Sequence, residues 1–264
     1  LERVRNEKLG TQIPKDSKKL MVKAMNAEHY ADTSRIADIM QYKDAIKAKM
    51  GYIELDSDEY TALSMDKKDI QEAINRDVDK EIEELLKLVD RDTGTGDNKK
   101  EPSKLSLWFM VDFIKNGRYM YDSNTINPQT QKQLTRWLVS PKDHEKTVMY
   151  SDSKFMVDGK NVTAQYMVAL GQALGFPVDK KNIRNTTKFV QSILAELMNE
   201  KNTQLDTLFA DMLKGKVEVG GLHVEIEHIA HAHQAIQLLK DLKAGGTATS
   251  SLTAEIDAKT SGFG

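Results

Sequence analysis

Apolar residues recur at steps of three and four along the first hundred residues, which predicts helices in this part of the chain. The clearest pattern covers residues 66–89, where an apolar stripe alternates with a strip of Asp, Glu and Lys. We expect Asp66 to cap this helix and the charged strip to face solvent. The apolar stripe consists of Ile70, Ile74, Val78, Ile82, Leu85, Leu86 and Val89.

An earlier helical segment precedes it. Asp16 is placed to cap a helix that starts near Ser17, and the polar sequence 32–34 interrupts the apolar pattern and can cap a second helix. Gly51 is a suitable residue to end that helix, because glycine readily adopts the left-handed conformation that follows a helix. The two helical regions, joined by a short link, predict a helical hairpin.

The pattern changes after residues 90–104, whose Gly, Asp, Asn and Pro predict a flexible connector and a domain boundary. Residues 105–111 and 118–121 are short, apolar and aromatic, which predicts two strands. Further helices are predicted at about 128–140, 163–174, 183–199, 203–214 and 226–243, and a β-branched strand at 247–256. The sequence therefore predicts a mainly helical α+β protein.

Composition narrows the classes of function. The chain has 38 Lys and Arg against 40 Asp and Glu, which argues against a generic basic DNA-coating protein but allows one local basic groove. Cysteine is absent, which excludes disulfides and thiol chemistry. Because no apolar run approaches the ~20 residues of a membrane span and no signal peptide is visible, we expect a cytoplasmic protein with no membrane contact.

A cluster of histidines and acids near residue 230 is one candidate site. His228 and His231 are three residues apart and could share a helix face, as metal-binding histidines often do. The HExxH order of zinc hydrolases is absent, which favours an ordinary polar helix surface over a metal site. The cluster comprises His223, Glu225, Glu227, His228, His231 and His233.

Two other candidates are single charged residues at the ends of predicted strands. Arg118 follows a turn at Asn116-Gly117 and could bind a phosphate through two parallel hydrogen bonds. Asp257 follows the last predicted strand, and the small residues after it would let a polyphosphate approach the backbone beside a bound Mg²⁺. Taken alone, each residue is more often an ordinary turn residue than a binding residue.

Taken together, these two motifs resemble those of the single-subunit RNA polymerases of bacteriophages and mitochondria. That family carries a T/D-x-x-G-R palm motif, then a tyrosine-containing strand and an Asn-Pro-Gln turn, which are similar to residues 117–119 and 127–129 here. Its catalytic aspartate precedes small residues, as Asp257 does in residues 257–262. This chain departs from the pattern at Ile114, Ala258 and Lys259.

The resemblance implies a fragment of a right-hand polymerase fold. Residues 1–104 would form a helical N-terminal region with a thumb-like hairpin, and residues 105–264 a portion of the palm. The palm strands would lie near 105–121 and 247–257, with a helical insertion at about 141–245.

The resemblance also implies nucleotidyl transfer with two Mg²⁺ ions. Asp257 would be the catalytic residue, and its carboxylate and the Ala258 carbonyl would hold metal, while Gly117 and Arg118 would contact nucleic acid. The family's fingers and second palm aspartate are not found in this sequence. We therefore expect a heterodimer similar to the split podovirus enzymes, in which this chain is the small subunit and a second subunit supplies those parts. Its ligands would be a DNA template, NTPs and the RNA product, in the host cytoplasm.

Two alternatives remain open from the residues alone. The first is a non-catalytic helical module that binds DNA or protein, for which Arg184 and Lys188 on one helix face would be the marker. The second is a His/Glu metallohydrolase, in which bound zinc would be lost on His228→Ala and His231→Ala substitution.

Overall fold

A computed structural model describes residues 15–94, 100–113, 119–123, 126, 133–135, 138–142, 145–176, 178, 183–199, 201–216 and 228–254. The chain divides into two compact units, Leu1–Asp143 and His144–Gly264. The predicted division of the chain into thumb and palm parts at residue 104 is a functional one and stays a prediction.

Helices make up most of the described part of the first unit. They are α1 (Lys15–Met25), α2 (Thr33–Met40), α3 (Lys43–Lys49), α4 (Asp58–Thr61) and α5 (Met65–Thr93). The predicted interruption at residues 32–34 is confirmed, because the Asp32 carboxylate caps α2 by accepting a hydrogen bond from the Arg35 N–H. Gly51 follows α3 with a φ of +83°, as predicted for a residue that ends a helix.

The long helix α5 differs from its prediction at its N-terminal end. It begins at Met65 with Ser64 as the N-cap, so the prediction that Asp66 caps it is wrong. Asp66 lies in the first turn, where its negative charge still favours the helix dipole.

The buried face of α5 also changes character along its length. Val78, Ile82 and Leu85 are buried as predicted, whereas Ile70 is 61% exposed. Ile74 and Leu86 are exposed as well. Gln71 and Asn75 are buried instead, because the neighbouring segment 51–53 presents backbone groups that amide side chains can bind.

A three-stranded antiparallel sheet joins distant parts of the first unit. Its strands are β1 (His29–Ala31), β2 (Leu105–Leu107) and β5 (Val139–Pro141), in the order β2-β1-β5. His29 lies opposite both Leu107 and Pro141. The predicted helix at about 128–140 is therefore wrong at its end, where residues 133–135 form one 3-10 turn and Val139 enters the sheet.

A hairpin of β3 (Met110–Phe113) and β4 (Tyr119–Asp122) completes the described strands of this unit. Both predicted strands are confirmed, but the apolar run at 105–111 is shared between two sheets because the ladder breaks at Trp108-Phe109. Val111 packs on Met21 of α1, and Tyr121 contacts the same small core.

The second unit contains a four-stranded antiparallel sheet where a helical insertion was predicted. The strands are β6 (Lys146–Ser151), β7 (Lys154–Val157), β8 (Lys160–Asn161) and β9 (Thr247–Ser250), in the order β8-β7-β6-β9. Two-residue turns connect β6 to β7 and β7 to β8, and all four turn residues have positive φ. Such turns match the twist of paired strands, which is why residues 146–161 form hairpins and not helix.

The predicted helices of the second unit are confirmed. They are α6 (Thr163–Ala173), α7 (Ile183–Leu197), α8 (Gln204–Leu213) and α9 (Ile229–Gly245). The helix α9 is buried along most of its surface, and Gly246 ends it with a φ of +69°. Within the described ranges, no helix combines the length and apolar character needed to span a membrane.

Candidate functional site

The residues predicted to carry the chemistry lie outside the described residues. These are Gly117, Arg118, Asp257 and Ala258. Their roles therefore stay predictions. The structure does describe the elements from which the chain enters each of the two motifs, and those elements define how each motif is attached to its unit.

The β3–β4 hairpin carries the Gly117-Arg118 motif at its end. Phe113 pairs with Tyr119, so the five residues between them, 114–118, connect the two strands. A short antiparallel ladder fixes the separation of the two ends of such a connection. The two strands predicted on either side of this connection are thus confirmed, and the position of Arg118 stays a prediction.

Three aromatic rings hold the base of this hairpin. The ring of His29 lies edge-on to Phe109 at 5.2 Å and to Tyr121 at 5.7 Å between centroids. The rings of Phe109 and Tyr121 are 5.5 Å apart. Edge-to-face pairs of this kind stabilise a cluster beyond the area they bury. The hairpin is therefore anchored to β1 through side chains as well as to α1.

Burial favours the neutral forms of the two titratable side chains in this ring cluster, His29 and Tyr121. Burial lowers the pKa of His29, whose Nδ1–H donates to the Ala27 carbonyl at 3.1 Å. Burial also raises the pKa of Tyr121. At pH 7 both side chains are therefore uncharged, and the cluster contributes no charge that would compete with an arginine for an anionic ligand.

The second motif is reached through β9 and the residues that follow it. We call Ser251–Ala254 the exit segment, because it leaves the sheet and leads toward Asp257. The predicted strand 247–256 is wrong beyond Ser250, where the exit segment has no regular structure. Its backbone groups are bound by side chains instead of by a neighbouring strand.

Hydrogen bonds hold three successive residues of the exit segment. The Gln234 amide nitrogen donates to the Ser251 hydroxyl oxygen, and the Leu252 N–H donates to the Ser250 hydroxyl oxygen at 3.1 Å. The His231 Nε2–H donates to the Thr253 carbonyl at 2.9 Å. The donor role of Nε2 follows from its partner, since a carbonyl oxygen can only accept. The path of the chain is thus specified up to Thr253.

An aromatic stack supports the end of β9 from the sheet side. Tyr166 stacks on Phe155 with centroids 5.0 Å apart, and Phe155 contacts Tyr150 at 4.7 Å. Burial raises the pKa of Tyr166, and a hydrogen bond with Ser250 partly offsets that rise. Ser250 is therefore bound both to the stack and to the backbone of the exit segment.

The histidines near residue 230 do not form the polar surface that was expected. His231 is completely buried, so that interpretation of the helix is wrong. His228 and His231 have ring centroids 6.4 Å apart, and His233 packs edge-on against Phe209 at 5.0 Å. Among residues whose positions are described, no group of three or more His, Asp or Glu side chains could hold a metal. His223, Glu225 and Glu227 lie outside those positions.

The basic pair of the alternative DNA-binding hypothesis lies on α7. Arg184 and Lys188 are both exposed and are one helical turn apart, so they share one face of the helix. This shared face is the marker on which that alternative depends. Two cations make a small electropositive stripe, which is compatible with a phosphate backbone but does not require one.

The described residues of the two units thus form a mainly helical α+β structure, with a three-stranded sheet and a hairpin in the first unit and a four-stranded sheet in the second. Residues 16–139 match a family model described as a virion DNA-directed RNA polymerase domain. This match supports the resemblance of the chain to the phage-type RNA polymerase family. It likewise supports the interpretation that the chain is a component of a viral DNA-directed RNA polymerase. No curated protein and no solved structure matches the chain.

The matched segment differs in extent from the resemblance drawn from motifs. That resemblance covers residues 105–264, whereas the family match takes in nearly all of α1, the helices α2 to α5 and the β3–β4 hairpin. The helical N-terminal region, which was assigned by position alone, is therefore similar to a polymerase domain in its own sequence. The exit segment and Asp257 lie beyond the match.

Proposed function

We propose that this chain is the small subunit of a viral DNA-directed RNA polymerase that is active only with a second chain. The observation that carries the proposal is the match of residues 16–139 to a virion RNA polymerase domain, which includes the hairpin of Gly117 and Arg118. The ordered motifs at 117–119, 127–129 and 257–262 add support from the rest of the sequence. The host cytoplasm remains the expected location.

The reaction would be attack of the RNA 3′ hydroxyl oxygen on the α-phosphorus of an NTP, with pyrophosphate as the leaving group. The carboxylate of Asp257 and the carbonyl of Ala258 are hard oxygen donors of the kind that Mg²⁺ prefers, so the donor chemistry fits this ion. Bound Mg²⁺ would favour the deprotonated 3′ oxygen and offset charge on the leaving group. In this proposal the carboxylate of Asp257 would be one of the ligands that hold the ion.

Arg118 would act on the nucleic acid and not on the reacting atoms. A guanidinium group can bind one phosphate through two parallel hydrogen bonds, which fixes orientation better than the single charge of a lysine. At the end of a hairpin anchored by His29, Phe109 and Tyr121, such a contact would seat the template or the hybrid.

A partner chain is proposed because two metal ions need at least two carboxylate ligands in a site of this class. We expect the second subunit to supply the other palm aspartate and the fingers that bind the incoming NTP. A near-neutral charge of −2 is compatible with a nucleic-acid cleft that is built by two chains.

Reconstitution tests the proposal. This chain and the proposed second subunit would be purified separately and mixed on a preformed RNA–DNA hybrid, which removes any need for a promoter. We expect Mg²⁺-dependent extension of the RNA by the mixture and none by either chain. Extension by this chain alone would contradict the two-chain proposal, and absence of extension by a stable complex of both chains would contradict the polymerase proposal.

Arg118→Ala tests the nucleic-acid contact in the same assay. Loss of one phosphate contact should weaken hybrid binding about tenfold and lower the dependence of log Kd on log salt by about one unit. The neighbouring Lys115→Ala serves as the control for loss of one positive charge in the same connection. Equal effects of the two substitutions would assign the binding to net charge and not to Arg118.

The exposed pair Arg184 and Lys188 favours one other candidate, a non-catalytic DNA-binding module. It predicts that the chain alone binds duplex DNA and that the double alanine variant loses this binding. Binding of that kind, together with a failure of the complex to extend RNA, would favour the module over the polymerase.

A further inference from the structure

The helix α1 carries the largest excess of positive charge of any helix in the described part of the chain. It contains four lysines and one aspartate in eleven residues, whereas the whole chain has a net charge of −2. On α5, by contrast, the basic residues lie among a larger number of acids and pair with them, as Lys87 does with Glu83. The positive charge of α1 is therefore a local feature of the first unit.

Three of these lysines form a row along one face of the helix. Lys15, Lys19 and Lys23, which we call the lysine stripe, follow one another at intervals of four residues, and all three are exposed. Each step of four residues turns the position by only about 40° around the helix and raises it by about 6 Å. The lysine stripe is thus about 12 Å long and can face a single ligand.

Packing on the other side of α1 fixes the direction of the stripe. Met21 is 5% exposed and packs on Val111 of β3, with Ala24 and Met25 half-buried beside it. Lys19 and Met21 are two residues apart, which separates them by about 160° around the helix. The lysine stripe therefore lies opposite the buried face of α1 and is presented to solvent.

The one acid of α1 offsets little of this charge. The Asp16 carboxylate lies 3.5 Å from the Lys19 ammonium group, but the two side chains are 92% and 69% exposed. Ion pairs between side chains this exposed contribute little, because water and salt screen them. A stronger anion can therefore replace the aspartate as the partner of Lys19.

The phosphate backbone of a nucleic acid fits a row of ammonium groups with this spacing. One strand of a duplex carries a phosphate about every 3.4 Å along its axis, so a stripe of about 12 Å spans three to four phosphates. Lysines on flexible stems neutralise phosphates without reading the bases, which suits an enzyme that copies any sequence. The choice of nucleic acid over an acidic protein follows from the family match, because the matched residues 16–139 include Lys19 and Lys23.

We propose that the lysine stripe binds the phosphate backbone of a duplex nucleic acid, independently of its sequence. The choice of ligand rests on the proposed polymerase function, but the binding itself requires neither the second subunit nor catalysis. The stripe would hold the template duplex or the RNA–DNA hybrid through charge alone.

The test uses this chain by itself with two labelled probes of one sequence, a short DNA duplex and an RNA–DNA hybrid. The triple substitution Lys15→Gln, Lys19→Gln and Lys23→Gln removes the charges and keeps good helix formers. At about 50 mM salt, we expect Kd for at least one probe to rise about 30-fold or more. The dependence of log Kd on log salt should fall by about two to three units. The probe that is weakened more identifies the duplex that the stripe holds.

A second triple variant controls for the loss of net charge. Lys67→Gln, Lys80→Gln and Lys87→Gln removes the same charge from exposed positions of α5 in the same unit, and Kd should change less than about threefold. Equal losses in the two triple variants would assign the binding to net charge and overturn the proposal. Thermal unfolding checks that both variants are folded, and Lys19→Gln alone should still lower the salt dependence by about one unit.

Binding and RNA extension separate failure of this inference from failure of the proposed function. If the wild-type chain binds neither probe, or if the stripe variant binds both as tightly as the wild type, the inference is wrong even when the two-chain complex extends RNA. If the stripe variant loses binding but the wild-type complex extends no RNA, the polymerase function fails and the nucleic-acid contact stands. Loss of the complex with the second subunit, with unchanged nucleic-acid binding, would assign the stripe to an acidic protein surface and contradict the proposal.

Discussion

The two units hold their irregular segments by different physical means. In the first unit, a buried carboxylate at the end of α5 binds segments that are distant in sequence. In the second unit, α6 and α7 approach each other closely, and the buried polar side chains that the structure describes include no carboxylate, lysine or arginine. The comparison indicates that the stability of the first unit depends on a buried charge and that of the second unit on close packing. The first unit should therefore respond to loss of that charge or to acid, and the second to an added methyl group.

Asp92 is the centre of the charged arrangement. Its side chain is 3% exposed, and its carboxylate accepts hydrogen bonds from Thr33 Oγ1, Lys100 Nζ and the Ser103 N–H at 2.5, 2.8 and 2.7 Å. Burial by itself would raise the pKa of this carboxyl, but these hydrogen bonds outweigh burial and lower the pKa to about 2. One side chain thereby joins α5, the start of α2 and the segment before β2.

Gly171 is the counterpart in the second unit. A Cβ atom at this position would lie 2.5 Å from Val178 Cγ1 and 3.1 Å from Val190 Cγ2. The absence of a side chain therefore allows α6 to approach α7 and the Val178 segment. Interiors packed this tightly respond to the addition of a single methyl group.

The largest effect is expected from Asp92→Ala. Removal of the carboxylate leaves the Thr33 hydroxyl without its acceptor in a buried place and leaves the Ser103 N–H with only Thr33 Oγ1 as acceptor, which should cost about 2–4 kcal/mol of the free energy of unfolding. Denaturant unfolding of the full chain, followed by hydrogen exchange of α2 and α5, would measure it. A cost below about 1 kcal/mol would show that the first unit does not depend on this charge.

Acid should affect the same residue in the folded wild type. Because the pKa of Asp92 falls from 3.8 to about 2 on folding, its contribution is present above pH 4 and is lost as the pH falls toward 2. At about 1.4 kcal/mol per pH unit, the contribution is about 2.5 kcal/mol. The measurement is the difference in free energy of unfolding between wild type and Asp92→Asn at pH 6 and at pH 2.5. A difference that is independent of pH would contradict this account.

Gly171→Ala should change the free energy of unfolding less than either Asp92→Ala or acid does. The clash with Val178 should destabilise the second unit by about 1–2 kcal/mol after the better helix propensity of alanine is included. Val178→Ala in the same chain should restore most of the loss by making room for the new methyl group. Thermal unfolding would decide between this outcome and a gain of up to about 1 kcal/mol, which helix propensity alone predicts.

The helices could be predicted because their apolar spacing is strong. The pattern in α6, α7 and α8 directly reports which face is buried, and the cap at Asp32 is local chemistry. The buried face of the first half of α5 could not be predicted in the same way, because it depends on the backbone groups that lie opposite the helix. Gln71 and Asn75 are buried there since Gly51 and Ile53 present backbone groups that need partners.

The sheets were harder, because strand pairing depends on distant residues. Strand β1 has three residues and no alternation to detect, and it forms only because β2 and β5 pair with it on either side. The hairpins at 146–161 contain the turn at Asp158-Gly159, which was predicted, and a second turn at Asp152-Ser153, which lacks the usual glycine. Without a glycine to mark this turn, the sequence did not predict the β6–β7 hairpin.

The candidate site was predicted in part. The strands that flank Gly117-Arg118 are confirmed, and the helix before the last strand is confirmed as α9. The contacts of His231 and Gln234 with the exit segment were not predicted, because a histidine at a buried helix position has the same sequence signature as one on the surface. The neighbouring residues His228, His233 and Gln237 are also polar, so the sequence carried no signal that singled out His231 and Gln234.

The central claim is that Asp257 is the catalytic carboxylate of a two-chain RNA polymerase. The most direct measurement is single-nucleotide extension by the assembled complex with Asp257→Asn, compared with Asp241→Asn as a control on the exposed side of α9. The account predicts that Asp257→Asn still forms the complex and binds the hybrid but extends at least about 10³-fold more slowly, while the control is unaffected. Wild-type extension by Asp257→Asn would contradict the claim.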